Sequence, residues 1–216
     1  MSCAARGSSG RSDVAALAPG RRRIGLLGGS FNPAHDGHRH VSLEAMRRLR
    51  LDQVWWLVSP QNPLKPVAGM AAAAERLEDA KRVARHPRIV PTLVEAELGT
   101  VYTADTLAAL GRRFPRARFV WLMGADNLRQ IPRWRRWRKI FAAMPVAVFD
   151  RPSYALGALT GTAARRYARS RVPANAVATL PDRKPPAWAF IRIPLHPESS
   201  TRIRSAAASA AGERTP

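Results

Sequence analysis

Cysteine is almost missing from this chain: Cys3 is the single one among 216 residues. A disulfide within the chain is therefore excluded, and so is a metal site built on cysteines. Long apolar runs are missing too. None reaches the roughly 18 residues that a membrane helix requires, so no membrane partner is expected. The stretch from Met1 to Arg23 is rich in Ser, Gly, Ala and Arg and lacks the apolar core of a secretory signal. It reads as a flexible leader, and a reducing cytoplasm is the expected compartment. Acidic residues are scarce, 15 against 36 basic ones, for a net charge of +21. Lysine is scarce as well: Lys65, Lys81, Lys139 and Lys184 are the only four. The other basic residues are arginines, whose planar fork suits phosphate and carboxylate. Such a field draws in polyanions, whether nucleoside triphosphates or nucleic acid. Abundant Ala, Arg, Gly and Pro together also follow from compositional drift. Charge by itself therefore does not mark a nucleic-acid binder, and nucleic acid is not the expected partner.

What is present is an alternation of apolar runs and helical patterns. Strands are expected at Ile24–Leu27, Gln53–Val58, Arg88–Leu93 (interrupted at Pro91), Arg118–Met123, Pro145–Phe149 and Trp188–Ile193. Helices are expected at Gly37–Arg50, Ala71–Arg85, Thr103–Phe114 with Thr103 or Asp105 as N-cap, Gly124–Phe141 broken at Pro132, Ala155–Arg169 and Ser200–Ala211. Pro60–Pro66 is a proline-rich loop, and Arg171–Pro186 is coil with a short strand at Ala176–Leu180. Strands alternating with helices predict an α/β fold, a doubly wound parallel sheet covered on both faces. The expected organisation is a leader over 1–22, one domain over 23–211 and a tail over 212–216.

The chemistry concentrates in Gly28-Gly29-Ser30-Phe31-Asn32-Pro33-Ala34-His35-Asp36-Gly37-His38. A strand, a glycine turn and a helix start present backbone N–H groups to a phosphate. His35 and His38 can aim at the same anion. The run is not a Walker loop, and it lacks the third glycine of the dinucleotide fingerprint. Near the other end, Ser199-Ser200-Thr201-Arg202-Ile203-Arg204 places three hydroxyls and a guanidinium at a helix start. That too suits a phosphate.

These two motifs, in this order, resemble those of the nucleotidyltransferase superfamily: His-x-Gly-His after a Gly-Gly turn, and Ile-Ser-Ser-Thr-x-Ile-Arg. Glu198 stands where the second motif usually has an apolar residue. More narrowly, the chain resembles the bacterial nicotinate-nucleotide adenylyltransferase family. Ser59–Lys65, Tyr102–Leu107 and Gly124–Leu128 followed by Trp134 are similar to that family's segments. The resemblance covers about Arg22 to Ala211 and implies a Rossmann-like fold. It implies transfer of AMP from ATP to nicotinate mononucleotide, giving deamido-NAD and pyrophosphate. His35 and His38 would be catalytic. Gly28, Gly29, Ser30, Phe31, Ser200, Thr201 and Arg204 would bind ATP. Asn32, Lys65, Thr103, Asp126 and Trp134 would bind the mononucleotide. Mg²⁺ would accompany ATP without a dedicated protein site, and a homo-oligomer is compatible with the family. Dual or nicotinamide specificity stays open. So does a non-catalytic RNA-binding module, which the Arg133–Lys139 cluster with Trp134 and Trp137 could serve.

Overall fold

Six apolar stretches form strands in the computed structural model, which describes residues 21–60, 70–151 and 154–194. They are β1 (Arg23–Gly29), β2 (Gln53–Val58), β3 (Ile89–Thr92), β4 (Arg118–Gly124), β5 (Val146–Phe149) and β6 (Trp188–Ile191). All pair in parallel, in the order β3-β2-β1-β4-β5-β6. Burial on both faces explains why Val54-Trp55-Trp56-Leu57-Val58 is continuously apolar rather than alternating. Along β1, Ile24 and Leu26 enter one core and Leu27 the other.

The two faces are covered by different parts of the chain. On one lie α1 (Asp36–Leu49), α2 (Ala73–Ala84) and a 3-10 helix, Ala174–Asp182. Ala45, Met46, Leu49, Ala80, Ala84 and Leu180 fill that core. The opposite core takes side chains from α3 (Val94–Glu97), α4 (Thr103–Arg113), α5 (Ala125–Gln130), α6 (Trp137–Ala143), α7 (Ala155–Leu159) and α8 (Thr162–Arg166). This is the doubly wound α/β fold that the alternation predicts. No helix among the described residues is long and apolar enough to cross a membrane.

Four local expectations need correction. β3 runs through Pro91 without a break. It pairs only with β2 among the described residues, so the absent N–H opens no gap in an inner ladder. The helix expected over Ala155–Arg169 is two short ones, because Gly161 adopts an extended N-cap conformation before Thr162. The strand expected at Ala176–Leu180 lies within the 3-10 helix; Ala176, Val177 and Leu180 pack against a sheet face instead of extending the sheet. Neither Thr103 nor Asp105 caps α4: Tyr102 holds the N-cap position. The expected helix over Ser200–Ala211 lies outside the described residues, as do the leader up to residue 20 and residues 61–69 of the proline-rich loop.

Candidate active site

The β1–β4 ladder stops at the pair Leu27–Leu122. β1 continues alongside β2 to Gly29–Val58, while β4 continues alongside β5 to Gly124–Phe149. The two central strands therefore part at their carboxyl ends. Their following helices lie on opposite faces, so a crevice opens where such sheets bind ligands.

The two glycines on its β1 side differ. A Cβ on Gly28 would come within 2.4 Å of Cη2 of Trp121, whereas one on Gly29 would meet the Phe31 ring at 3.4 Å. Gly28 thus admits a core indole, and Gly29 leaves the crevice open. Phe31 follows in the left-handed region, at φ 47°. Its ring is 1% exposed, stacks on Trp56 at 5.1 Å and lies against His38 at 4.6 Å. Packing of this buried ring holds a backbone conformation that a free phenylalanine would avoid. The side chain supports the turn from below, which leaves its backbone as the part a nucleotide can meet.

Beyond the turn, His35 is the extended N-cap of α1 and is 4% exposed. Its backbone N–H donates to Nδ1 of His38 at 3.3 Å, and the His38 N–H donates back to the His35 carbonyl at 2.9 Å. The two rings lie 3.8 Å apart between centroids. A nitrogen that accepts a hydrogen bond carries no proton, so neutral His38 bears its hydrogen on Nε2 and offers a donor there. A buried chain fixes the helix behind it: Trp56 Nε1–H donates to Ser42 Oγ, and Ser42 donates to the His38 carbonyl, each at 2.8 Å.

Across the crevice, Asp126 lies in the first turn of α5, directly after β4. Its Oδ2 is 3.4 Å from Nη1 of Arg151. Its Oδ1 is buried and has no hydrogen-bond partner among the described residues. A buried acceptor of this kind suits a hydroxyl donor from a ligand. Thr103 is the first residue of α4. Arg135 stacks 4.5 Å above the Tyr102 ring, and Arg136 pairs with Asp105 at 3.2 Å. Those contacts tie the start of α4 to the segment following Trp134, which is half-buried and packs against the α4–α6 core.

Two residues that the sequence reading passed over join these parts. Arg76 of α2 is 1% exposed. It donates to the carbonyls of Ser30 at 2.6 Å, Ser59 at 2.8 Å, Ala71 at 2.9 Å and Pro60 at 3.0 Å. Its signal was its phase: Arg76, Ala80 and Ala84 recur every four residues along the buried stripe of α2. Glu95 is 6% exposed. Burial pushes its carboxyl up to about 7, with hydrogen bonds from Thr106 and Ser59 opposing the rise. It accepts from Thr106 Oγ1 at 3.2 Å. Nothing in the sequence marked it.

Of the expected site residues, the fold brings Gly29, Ser30, Phe31, Asn32, His35 and His38 to one side of the crevice and Asp126 to the other. Thr103 is linked to them through Thr106, Glu95 and Ser59. Lys65, Ser200, Thr201 and Arg204 lie outside the described residues. Among the described residues, no three His, Cys, Asp or Glu side chains converge on a metal position.

A parallel 3-2-1-4-5-6 sheet with paired histidines after its first strand fits the nucleotidyltransferase resemblance of the sequence. The cytidylyltransferase-like family model matches residues 26–206, and the chain belongs to that family. It is 57% identical over 182 residues to a probable nicotinate-nucleotide adenylyltransferase of Cereibacter sphaeroides, covering 84% of this chain and 96% of the relative. A second relative so named, from Parvibaculum lavamentivorans, is 54% identical over 188 residues, covering 87% and 93%. These identities place the chain in the nicotinate-nucleotide adenylyltransferase family. The fold also matches a solved Plasmodium falciparum nicotinic acid mononucleotide adenylyltransferase complexed with NaAD. There the TM-score is 0.63 at 16% identity, over 85% of this chain and 83% of that one.

Proposed function

We propose that this enzyme transfers the adenylyl group of ATP to nicotinate mononucleotide, yielding deamido-NAD and pyrophosphate. The relatives' names support the substrates, and the paired histidines beside the β1–β4 crevice carry the chemistry. An oxygen of the mononucleotide phosphate attacks the α-phosphorus of ATP. The bond from that phosphorus to the α,β-bridging oxygen breaks, and pyrophosphate leaves with the electron pair. A phosphate oxygen needs no activating base, so catalysis lies in alignment and in stabilising charge on the phosphorus and the leaving group.

His38 donates through Nε2 to the triphosphate, with His35 beside it. Gly28, Gly29, Ser30 and Phe31 offer backbone, and Ser200, Thr201 and Arg204 hold the β- and γ-phosphates. Asp126 takes ribose hydroxyls through Oδ1, which has no hydrogen-bond partner among the described residues. Asn32, Lys65, Thr103 and Trp134 receive the mononucleotide, Trp134 by stacking on the pyridine. Mg²⁺ would accompany ATP and offset the charge of its phosphates.

The test is pyrophosphate release with ATP and Mg²⁺, comparing nicotinate mononucleotide with nicotinamide mononucleotide. Release with the acid alone is expected; equal rates would make the enzyme dual-specific, and none with either would refute the reading. Replacing one preorganised donor lowers kcat by about 10²–10³-fold, so His38→Ala should do so while remaining folded. Unchanged turnover would remove His38 from the mechanism.

A further inference from the structure

We propose that Arg76 is a positioning residue for the adenylyl transfer: its guanidinium sets the turn that carries His35 and His38 against the end of β2. The inference rests on the reaction proposed above. Arg76 sits where an apolar residue would cost less to bury. Its desolvated charge has no carboxylate within ion-pair distance among the described residues, and such charges are poor stability devices. What it has is four backbone carbonyls on three separate pieces of chain. Ser30 belongs to the turn leaving β1, Ser59 and Pro60 leave β2, and Ala71 precedes α2 itself. A planar fork with five donors can hold such a set in one fixed arrangement, and a lysine cannot.

The clamp extends toward the acceptor side. The Ser59 N–H donates to the Gly29 carbonyl at 3.0 Å, directly joining the two strand ends. The Ser59 side chain hydrogen-bonds Glu95, and Glu95 accepts from Thr106. Thr106 lies in the first turn of α4, whose first residue is Thr103, the expected mononucleotide contact. Arg76 and Glu95 thus both hold Ser59, one through its carbonyl and one through its side chain. The chain of contacts runs from Ser30 in the nucleotide turn to the start of α4, and its intermediate residues, Arg76, Ser59, Glu95 and Thr106, are not among those expected to touch substrate. In-line attack depends on the separation of the two substrates, and a misplacement near 1 Å costs about 100-fold in rate.

The experiment compares Arg76→Met, which keeps the volume and removes the donors, with Arg76→Lys, which restores donors at a single point. Folding is read by thermal melting. Binding of ATP with Mg²⁺ and of nicotinate mononucleotide is measured separately by calorimetry, stoichiometry included. In Arg76→Met, kcat should fall about 100-fold while each separate Kd stays within about threefold and the stoichiometry holds. Arg76→Lys should recover part of the rate. A folded Arg76→Met with kcat within about threefold of wild type would overturn the proposal. So would a fall in kcat matched by an equal fall in binding stoichiometry, or failure of both variants to fold; each would make the role purely structural. A wild-type enzyme that releases no pyrophosphate would instead refute the reaction itself, and this inference with it.

Discussion

Gly28 and Gly29 are neighbours with the same sequence environment, yet alanine should act on them in opposite ways. Neither has a positive φ, so alanine brings no backbone penalty at either position. At Gly28 the added methyl would stand 2.4 Å from Cη2 of Trp121, a ring only 3% exposed and held within the core. Overpacking of that kind costs about 1–3 kcal/mol. For a chain this size that lowers Tm by roughly 2–12 °C, at about 2–4 °C per kcal/mol. At Gly29 the methyl meets Phe31 at 3.4 Å, an ordinary contact. The loss of unfolded-state freedom then stabilises by about 0.4–1 kcal/mol. Gly29→Ala should therefore melt at or slightly above wild type. It should lose about tenfold or more in kcat/KM, because the methyl resting on the Phe31 ring lies beside the turn backbone that the triphosphate is proposed to meet. Melting followed by circular dichroism, alongside pyrophosphate release, separates the two cases. A Gly28→Ala protein that melts with wild type would refute the Trp121 packing. A Gly29→Ala protein with full activity would refute the close approach of nucleotide to this turn.

Two further outcomes follow from buried polar groups. Glu95 has a folded-state value near 7 against an ordinary 4.5. The folded protein thus binds this proton more tightly than the unfolded chain. Stability is intact below about pH 4.5 and declines as pH rises toward 7, by about 3 kcal/mol across that window. Glu95→Gln should flatten that decline in urea titrations between pH 4.5 and 8; parallel profiles for the two proteins would exclude Glu95 as its source. Ser42→Ala strands the Trp56 indole N–H inside the core and should lower stability by about 1–3 kcal/mol in urea, with the m-value unchanged. A midpoint equal to wild type would mean that the Trp56–Ser42–His38 chain does not stabilise the helix.

The sheet was legible because inner parallel strands are continuously apolar: β2 has the bounds expected from its sequence, Gln53–Val58. The histidine turn was legible because a strand, two glycines and a helix start occur in immediate succession. What escaped was whatever depended on residues distant in the chain. Nothing beside Gly28 announces Trp121, so the reason for that glycine became visible only once β4 lay beside β1. Arg76, in a helix rich in alanine and charge, looks solvated until its four-residue spacing with Ala80 and Ala84 is followed. Thr103 and Asp105 both have the chemistry of an N-cap. Tyr102 takes the position, and Asp105 pairs with Arg136 instead. The 3-10 helix over Ala174–Asp182 escaped because its apolar residues face a core that α1 and α2 have already begun to fill.

The parting of β1 from β4 also bears on how the enzyme comes to be active. Each half of the sheet is continuous in sequence: β1 to β3 on one side, β4 to β6 on the other. Among the described residues the β1–β4 ladder is the only strand pairing between them, and the histidines and Asp126 stand on opposite sides of that seam. Closing it requires a long loop of chain, an entropic toll that neighbouring pairings such as β1–β2 do not meet. Each half can assemble its own strands while the crevice still has only one wall. Competence for catalysis is thus tied to the least local contact in the sheet, and a nascent chain gains its site only after β4 has docked.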